Sequence, residues 1–236
     1  MELILTGISY VRREKAILSD VSATVPGTGL TCLLGTNGAG KTTLLRILSG
    51  ELKSTSGQYY FGDIDASTLS QRELAKYFAI IPQNAPIPPY LTVREMVRLG
   101  QFQPRSFFKR NMDRTKQKNI DTYLARCQIE KFGDRRLDEL SGGEQKRAWL
   151  ALGLASDRKF LMLDETLDGM DVFAKRRFFQ LLKDIAFEDK GIFLTSHDLE
   201  LVSEFTDKII VLNDGNVIYE GIPDSNLQTL LSDNPD

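Results

Sequence analysis

Residues 35–43 read Gly35-Thr36-Asn37-Gly38-Ala39-Gly40-Lys41-Thr42-Thr43 and fit the spacing G-x-x-x-x-G-K-[ST]. Glycines at these places let successive backbone N–H groups turn inward toward phosphate oxygens. A helix beginning at the end of such a loop adds its positive N-terminal end to the same anion. Lys41 is placed to reach the β- and γ-phosphates of a nucleotide, and the Thr42 hydroxyl to hold Mg²⁺. A glycine-rich turn with an incidental lysine is the plain alternative. The apolar run before the loop and the helical pattern after it argue against that alternative.

Two further groups bear on the same chemistry. Asp164-Glu165 closes the apolar run Phe160-Leu161-Met162-Leu163, and ligand sites in parallel sheets lie at the carboxyl ends of strands. Asp164 would orient Mg²⁺, directly or through water. Glu165 is the candidate general base for an attacking water. Leu140-Ser141-Gly142-Gly143-Glu144 begins a helical pattern. Ser141 with Glu144 three residues on is a capping box, which would account for the segment without any ligand. The double glycine also strips side chains from a helix N-terminus and leaves an anion site. Both readings stand on the residues alone.

The elements that must position these groups follow from periodicity. Leu3-Ile4-Leu5, Ile8–Tyr10 and Ile17–Val25 read as strands, and Pro26-Gly27-Thr28-Gly29 as a turn. Leu30–Leu34 is a short buried strand feeding Gly35. Residues 42–49 are expected to be helical, ended by Gly50. Gly57–Phe61 and Tyr77–Ile81 are expected as strands. Pro82, Pro86, Pro88 and Pro89 mark a linker, after which Val93–Leu99 and Ile120–Cys127 have helical spacing. Phe160–Leu163 is a strand, Val172–Ile185 a helix and Gly191–Thr195 another strand. Lys208–Leu212 and Val217–Tyr219 form a hairpin about Asp214-Gly215. Strands alternating with helices imply an α/β fold with a mainly parallel sheet, preceded by an antiparallel β region. The expected division is one domain over 1–236, with a core lobe of 1–83 and 157–236 and a helical lobe of 84–156.

Composition sets outer limits. A chain of 236 residues, 42% hydrophobic and 26% charged, is an ordinary globular protein with room for a full core. The formal net charge of −2 gives no general attraction to nucleic acid or anionic lipid, so no nucleic-acid partner is expected. No apolar run reaches the ~20 residues that span a bilayer, and the opening residues do not resemble a secretory signal. Any membrane role is expected to come through a partner chain. Cys32 and Cys127 are expected to be reduced thiols. With a single histidine they cannot form a zinc cluster.

In this order and spacing the motifs resemble those of the ATPase subunit of an ABC (ATP-binding cassette) transporter, over roughly residues 3–221. The resemblance implies the ABC ATPase fold, ATP and Mg²⁺ as cofactors, and hydrolysis in a head-to-tail pair of cassettes. Gln83 falls where the family has a glutamine that contacts Mg²⁺ and the attacking water. His197, the only histidine, falls at the switch position that touches the γ-phosphate. Tyr10 matches the aromatic that stacks on adenine. Ser141, Gly142, Gly143, Glu144 and Asp171 would act in trans, on the nucleotide held by the opposite subunit. The implied partners are a second cassette, a transmembrane permease and a substrate-binding protein. The implied place is the cytoplasmic face of the membrane. Leu91–Gly100, Leu48-Ser-Gly-Glu-Leu52 and Asp138–Trp149 look like the ATPases that import iron-siderophores, haem or cobalamin. An exporter cassette, or a soluble ABC ATPase outside transport, is the alternative. One departure stands out: where the family has Asp-Glu-Pro-Thr, this chain has Asp164-Glu165-Thr166-Leu167. The basic stretch Arg105–Lys118 is a solvated face or a contact to lipid headgroups or a partner.

Overall fold

The computed structural model describes residues 1–83, 85–101, 119–167, 169–187 and 190–224. Strand β1 (Leu3–Arg12) pairs antiparallel with β2 (Lys15–Val25). The expected pair of strands, Leu3–Leu5 and Ile8–Tyr10, is thus one strand. Its pairing slips between Leu5 and Ile8, around Gly7 at φ 64°, which is how an extra residue is absorbed at a bulge. β3 (Gly29–Leu34) leads into α1 (Lys41–Leu48). β4 (Ser56–Phe61) and the short β5 (Ile64–Asp65) complete a four-stranded antiparallel sheet in the order β2-β1-β4-β5.

After a four-residue helix, α2 (Gln71–Leu74), comes β6 (Phe78–Ile81). Helices α3 (Val93–Gly100), α4 (Ile120–Arg126) and α5 (Gly142–Ala155) follow. Then come β7 (Phe160–Leu163), α6 (Val172–Phe187), β8 (Gly191–Ser196), α7 (Leu199–Phe205), β9 (Lys208–Asn213) and β10 (Asn216–Gly221). The second sheet has the order β10-β9-β3-β8-β7-β6. It is parallel from β9 to β6, with β10 antiparallel at its edge.

Both faces of this sheet are covered, which explains the unbroken apolar runs in its strands. Leu30, Cys32, Leu34, Leu161 and Leu163 face one way, into a core shared with α3, α4, α5, α6 and α7. Leu33, Phe160, Met162 and Phe193 face the other way, into a core shared with α1 and the antiparallel sheet. The second core holds an aromatic cluster in which Phe61 stacks on Tyr77 at 4.8 Å and meets Phe78 edge-on at 4.5 Å. The hairpin turn is as expected. Asp214 and Gly215 have φ of 44° and 77°, the sign that a type I′ turn requires at both places. Among the described residues, no helix is long and apolar enough to cross a membrane.

Candidate active site

The strand order decides the site. Four neighbouring parallel strands, β3, β8, β7 and β6, end on the same edge of the sheet. Just past their ends lie Gly35, His197, Asp164-Glu165 and Gln83.

The loop after β3 is held open by its glycines. Gly40, which precedes α1, sits at φ 105°; a Cβ there would lie 2.6 Å from Leu18 Cδ2 and 3.0 Å from the Ile17 carbonyl oxygen. Both the backbone angle and the space demand glycine. At Gly35 a Cβ would lie 2.3 Å from the Leu212 carbonyl oxygen, so β9 passes against the loop. The hairpin turn braces it too: Gly215 N–H donates to Ala39 O at 3.2 Å and the Ser19 N–H to Gly215 O at 2.8 Å. No acidic residue occupies the first turn of α1, which leaves the positive end of its dipole available to an anion.

Lys41 curls back inside the loop. Its side chain is only 4% exposed, and Nζ donates to Gly35 O at 2.8 Å and Thr36 O at 3.0 Å. The same ammonium lies 3.1 Å from Glu165 Oε1. The other carboxylate oxygen of Glu165 accepts from Gln83 Nε2 at 3.1 Å. Asp164 Oδ1 accepts from two hydroxyls, Thr42 Oγ1 at 3.2 Å and Thr195 Oγ1 at 2.9 Å. The Glu165 N–H donates to that same Thr195 oxygen at 2.8 Å.

Lys41, Thr42, Gln83, Asp164, Glu165 and Thr195 are therefore one cluster of hydrogen bonds and an ion pair drawn from four strand ends, with Thr195 joining its two halves. Beside it runs an open groove of about 690 Å³, solvent included, lined by Thr42, Arg46, Pro82, Gln83 and Asp164 among others. A second, smaller depression is lined by Glu165, Lys175, Thr195, His197 and Asp198 among others. Thus His197, itself exposed, borders Glu165. Lys175 Nζ, 3.5 Å from Asp198 Oδ2, ties α6 to the start of α7 beside it. The oxygen donors of Thr42, Asp164 and Gln83 are hard ligands of the kind Mg²⁺ takes.

Ser141–Glu144 stands apart. Ser141 N–H and Oγ both donate to Glu144 Oε2 at 2.8 Å, and Glu144 N–H donates back to Ser141 Oγ at 3.4 Å. The capping box is thus formed, while Ser141 and Gly142 remain exposed. Among the described residues no hydrogen bond links this motif to residues 35–43. Asp171 is exposed and caps α6, accepting from Ala174 N–H at 2.9 Å. A Cβ on Gly143 would lie 3.6 Å from Met170 Cε, so the two exposed motifs adjoin. Tyr10 is half-buried on β1 opposite Leu18, whose side chain abuts Gly40. Thr166, standing where the resemblance expects proline, is buried. The basic stretch Arg105–Lys118 lies outside the described residues.

The sequence model of the ABC transporter family matches residues 18–168. The chain belongs to the ABC transporter family. The petrobactin import ATP-binding protein YclP of Bacillus subtilis (strain 168) is 32% identical over 216 residues, covering 91% of this chain and 84% of that protein. The iron(3+)-hydroxamate import ATP-binding protein FhuC of the same organism is 33% identical over 216 residues, covering 91% and 79%. Among solved structures, cbiO1 from Clostridium perfringens, part of the ABC transporter complex cbiONQ, superposes with a TM-score of 0.83 at 27% identity, covering 94% of this chain and 88% of that one.

The chain is thus the ATP-binding subunit of an ABC transporter and an ATPase. In this ABC cassette the matched span holds residues 35–43, Gln83, Ser141–Glu144 and the pair Asp164-Glu165, and β8 with His197 lies beyond it. One participant is not evident from sequence pattern. Thr195 closes the apolar run Ile192-Phe193-Leu194, and the only signal it offers is a hydroxyl at the buried end of a strand, two residues before His197.

Proposed function

We propose that this ABC cassette hydrolyses ATP between two copies arranged head to tail and drives import of an iron complex, haem or cobalamin through a membrane permease. What supports the catalytic part is the cluster that joins Lys41, Thr42, Gln83, Asp164 and Glu165 at one sheet edge. What supports import of this cargo class is that relatives named for petrobactin and iron(3+)-hydroxamate import align over nine-tenths of the chain.

In this reading Tyr10 stacks on the adenine, and Gly35, Asn37, Gly38, Ala39, Gly40 and Thr43 present backbone N–H groups to the phosphates. Lys41 pairs with the β- and γ-phosphates. Thr42, Asp164 and Gln83 would hold Mg²⁺, which when bound would neutralise phosphate charge. Glu165 takes the proton of the attacking water, and His197 positions Glu165 and the water against the γ-phosphate. Ser141, Gly142, Gly143, Glu144 and Asp171 come from the partner copy. Two complete sites then require a two-fold pair using the same surface of each chain. Residues 84–156 act as a helical lobe that passes closure of the core lobe, 1–83 and 157–236, to the permease. The subunit lies on the inner face of the cell membrane, held there by the permease, with a substrate-binding protein on the far side.

The deciding experiment purifies the full-length chain from solubilised membranes, identifies the co-purifying subunits and reconstitutes them in vesicles. ATP-dependent uptake of a ferric siderophore, haem or cobalamin is the expected result. Undiminished ATP turnover with no membrane partner would overturn the transport reading.

A further inference from the structure

We propose that Thr195 is a positioning residue for hydrolysis, one whose hydroxyl sets the direction of the Glu165 carboxylate. This rests on the proposed role of Glu165 as the base. A hydroxyl has one proton to give and two lone pairs. At Thr195 both capacities are used on the acid pair: Oγ1 donates to Asp164 Oδ1 at 2.9 Å and accepts from the Glu165 N–H at 2.8 Å. Because the neighbouring N–H occupies a lone pair, the hydroxyl proton points at Asp164. One oxygen therefore fixes the side chain of one acid and the backbone of the next.

The backbone it fixes needs fixing. Glu165 has φ 39°, in the left-handed region that a residue with a Cβ seldom adopts. Such a conformation persists only where surrounding contacts over-determine it. The family resemblance leads one to expect a proline immediately after the acid pair, where its ring would restrict the turn. This chain has Thr166, and the restraint here comes from across the sheet. Thr195 is well suited to provide it. It is 3% exposed, its strand β8 is hydrogen-bonded to β3 on one side and β7 on the other, and a β-branched side chain has little χ1 freedom. With the peptide held, the Glu165 side chain leaves the turn toward Lys41 and Gln83, which receive its two oxygens.

The test compares Thr195→Val, Thr195→Cys and Thr195→Ser in the full-length chain purified with its membrane subunits. Glu165→Gln is prepared alongside. Steady-state ATP hydrolysis, affinity for a fluorescent ATP analogue in EDTA and the melting temperature are measured on each. Thr195→Val keeps the shape and loses the hydroxyl. It should lower kcat about 10- to 100-fold, the scale of a displaced general base, while affinity for the analogue stays unchanged. Thr195→Ser should restore most of kcat, and Thr195→Cys, a weaker hydrogen-bonding group, should fall between the two. If Thr195→Val proves too unstable to purify, the ranking of Thr195→Ser over Thr195→Cys carries the test. Wild-type kcat in Thr195→Val, equal rates for Thr195→Ser and Thr195→Cys, or parallel loss of kcat and analogue affinity would each overturn the inference. Glu165→Gln separates the two proposals. Wild-type turnover in that variant refutes the base, and a slow Glu165→Gln beside a fast Thr195→Val refutes only the role of Thr195.

Discussion

Lys41 Nζ lies 3.1 Å from Glu165 Oε1, and both side chains are largely withdrawn from solvent, at 4% and 14% exposure. The residue that the loop motif assigns to phosphate is thus also the counter-charge of the proposed base. Pairing keeps either charge from standing alone in a partly buried site, where an uncompensated charge is expensive. An anionic phosphate brought to residues 35–43 competes with Glu165 for one ammonium. The loop and the acid pair are therefore electrostatically linked, and their variants should behave differently.

Lys41→Ala removes the cation from the cradle. ATP affinity should be lost, as measured by titration of a fluorescent analogue. Retention of wild-type affinity would exclude the cradle as the phosphate site.

Glu165→Gln keeps the volume but removes the proposed base, and its single amide oxygen can accept from only one of Lys41 and Gln83. Affinity should persist while kcat falls by about 10²- to 10⁴-fold, the range for a general base. With the cradle spared, the ATP-bound pair of chains should accumulate and elute as a dimer. Turnover at the wild-type rate would refute the assignment.

Ser141 and Lys41 make a test of the composite site. Alone, Ser141→Ala should hydrolyse ATP poorly while still binding it, and should lose about 1 kcal/mol from the uncapped α5. Mixed with inactive Lys41→Ala chains it should regain activity, since a mixed dimer has one site with an intact loop and an intact partner motif. No recovery would mean that each chain works alone.

Gly40→Ala introduces a Cβ at φ 105° and 2.6 Å from Leu18 Cδ2. The variant should melt earlier, by the equivalent of about 1–3 kcal/mol. It should also lose nucleotide affinity, because the strand pair β1–β2 is pushed from the loop. Calorimetry with and without ATP checks both.

Burial pushes the Cys127 thiol up to about 12 and the Cys32 thiol higher still, from an ordinary 9.0. At pH 8 neither should react with an aromatic disulfide reagent in the folded chain, and both should react in denaturant. The folded chain keeps thiol protons that the unfolded chain releases. This contribution is therefore fully present below 9.0 and is lost as pH rises from there toward about 12. Urea midpoints should fall more steeply above pH 9.0 in the wild type than in Cys127→Ala.

Much of the architecture was legible because its signals are local. The buried strands Leu30–Leu34 and Phe160–Leu163 announce themselves as apolar runs, and the Asp214-Gly215 turn by the positive φ both residues accept. Ser141 begins α5 through the capping box read as Ser-x-x-Glu, and the structure adds a second box at Thr92, before α3. Shorter elements carried less signal. In α2 only Leu74 is buried, so no periodicity forms in four residues. Helix α7 is capped by Asp198, which accepts from Leu201 N–H, and its seven residues were too few to give a helical period.

The amino-acid sequence by itself determined the loop that can surround a phosphate, the acid pair at a strand end and the alternation of strands and helices. These depend on backbone angles and hydrophobic period within a few residues. Only the tertiary structure decided that β8 lies between β3 and β7. That order brings Thr195 to both acids, His197 beside Glu165, and Lys41 onto the carboxylate of Glu165. The physical reason is that parallel strands pair across long crossovers, so their neighbours are chosen by how whole faces bury against α1 and α3–α7. No spacing along the chain records that choice.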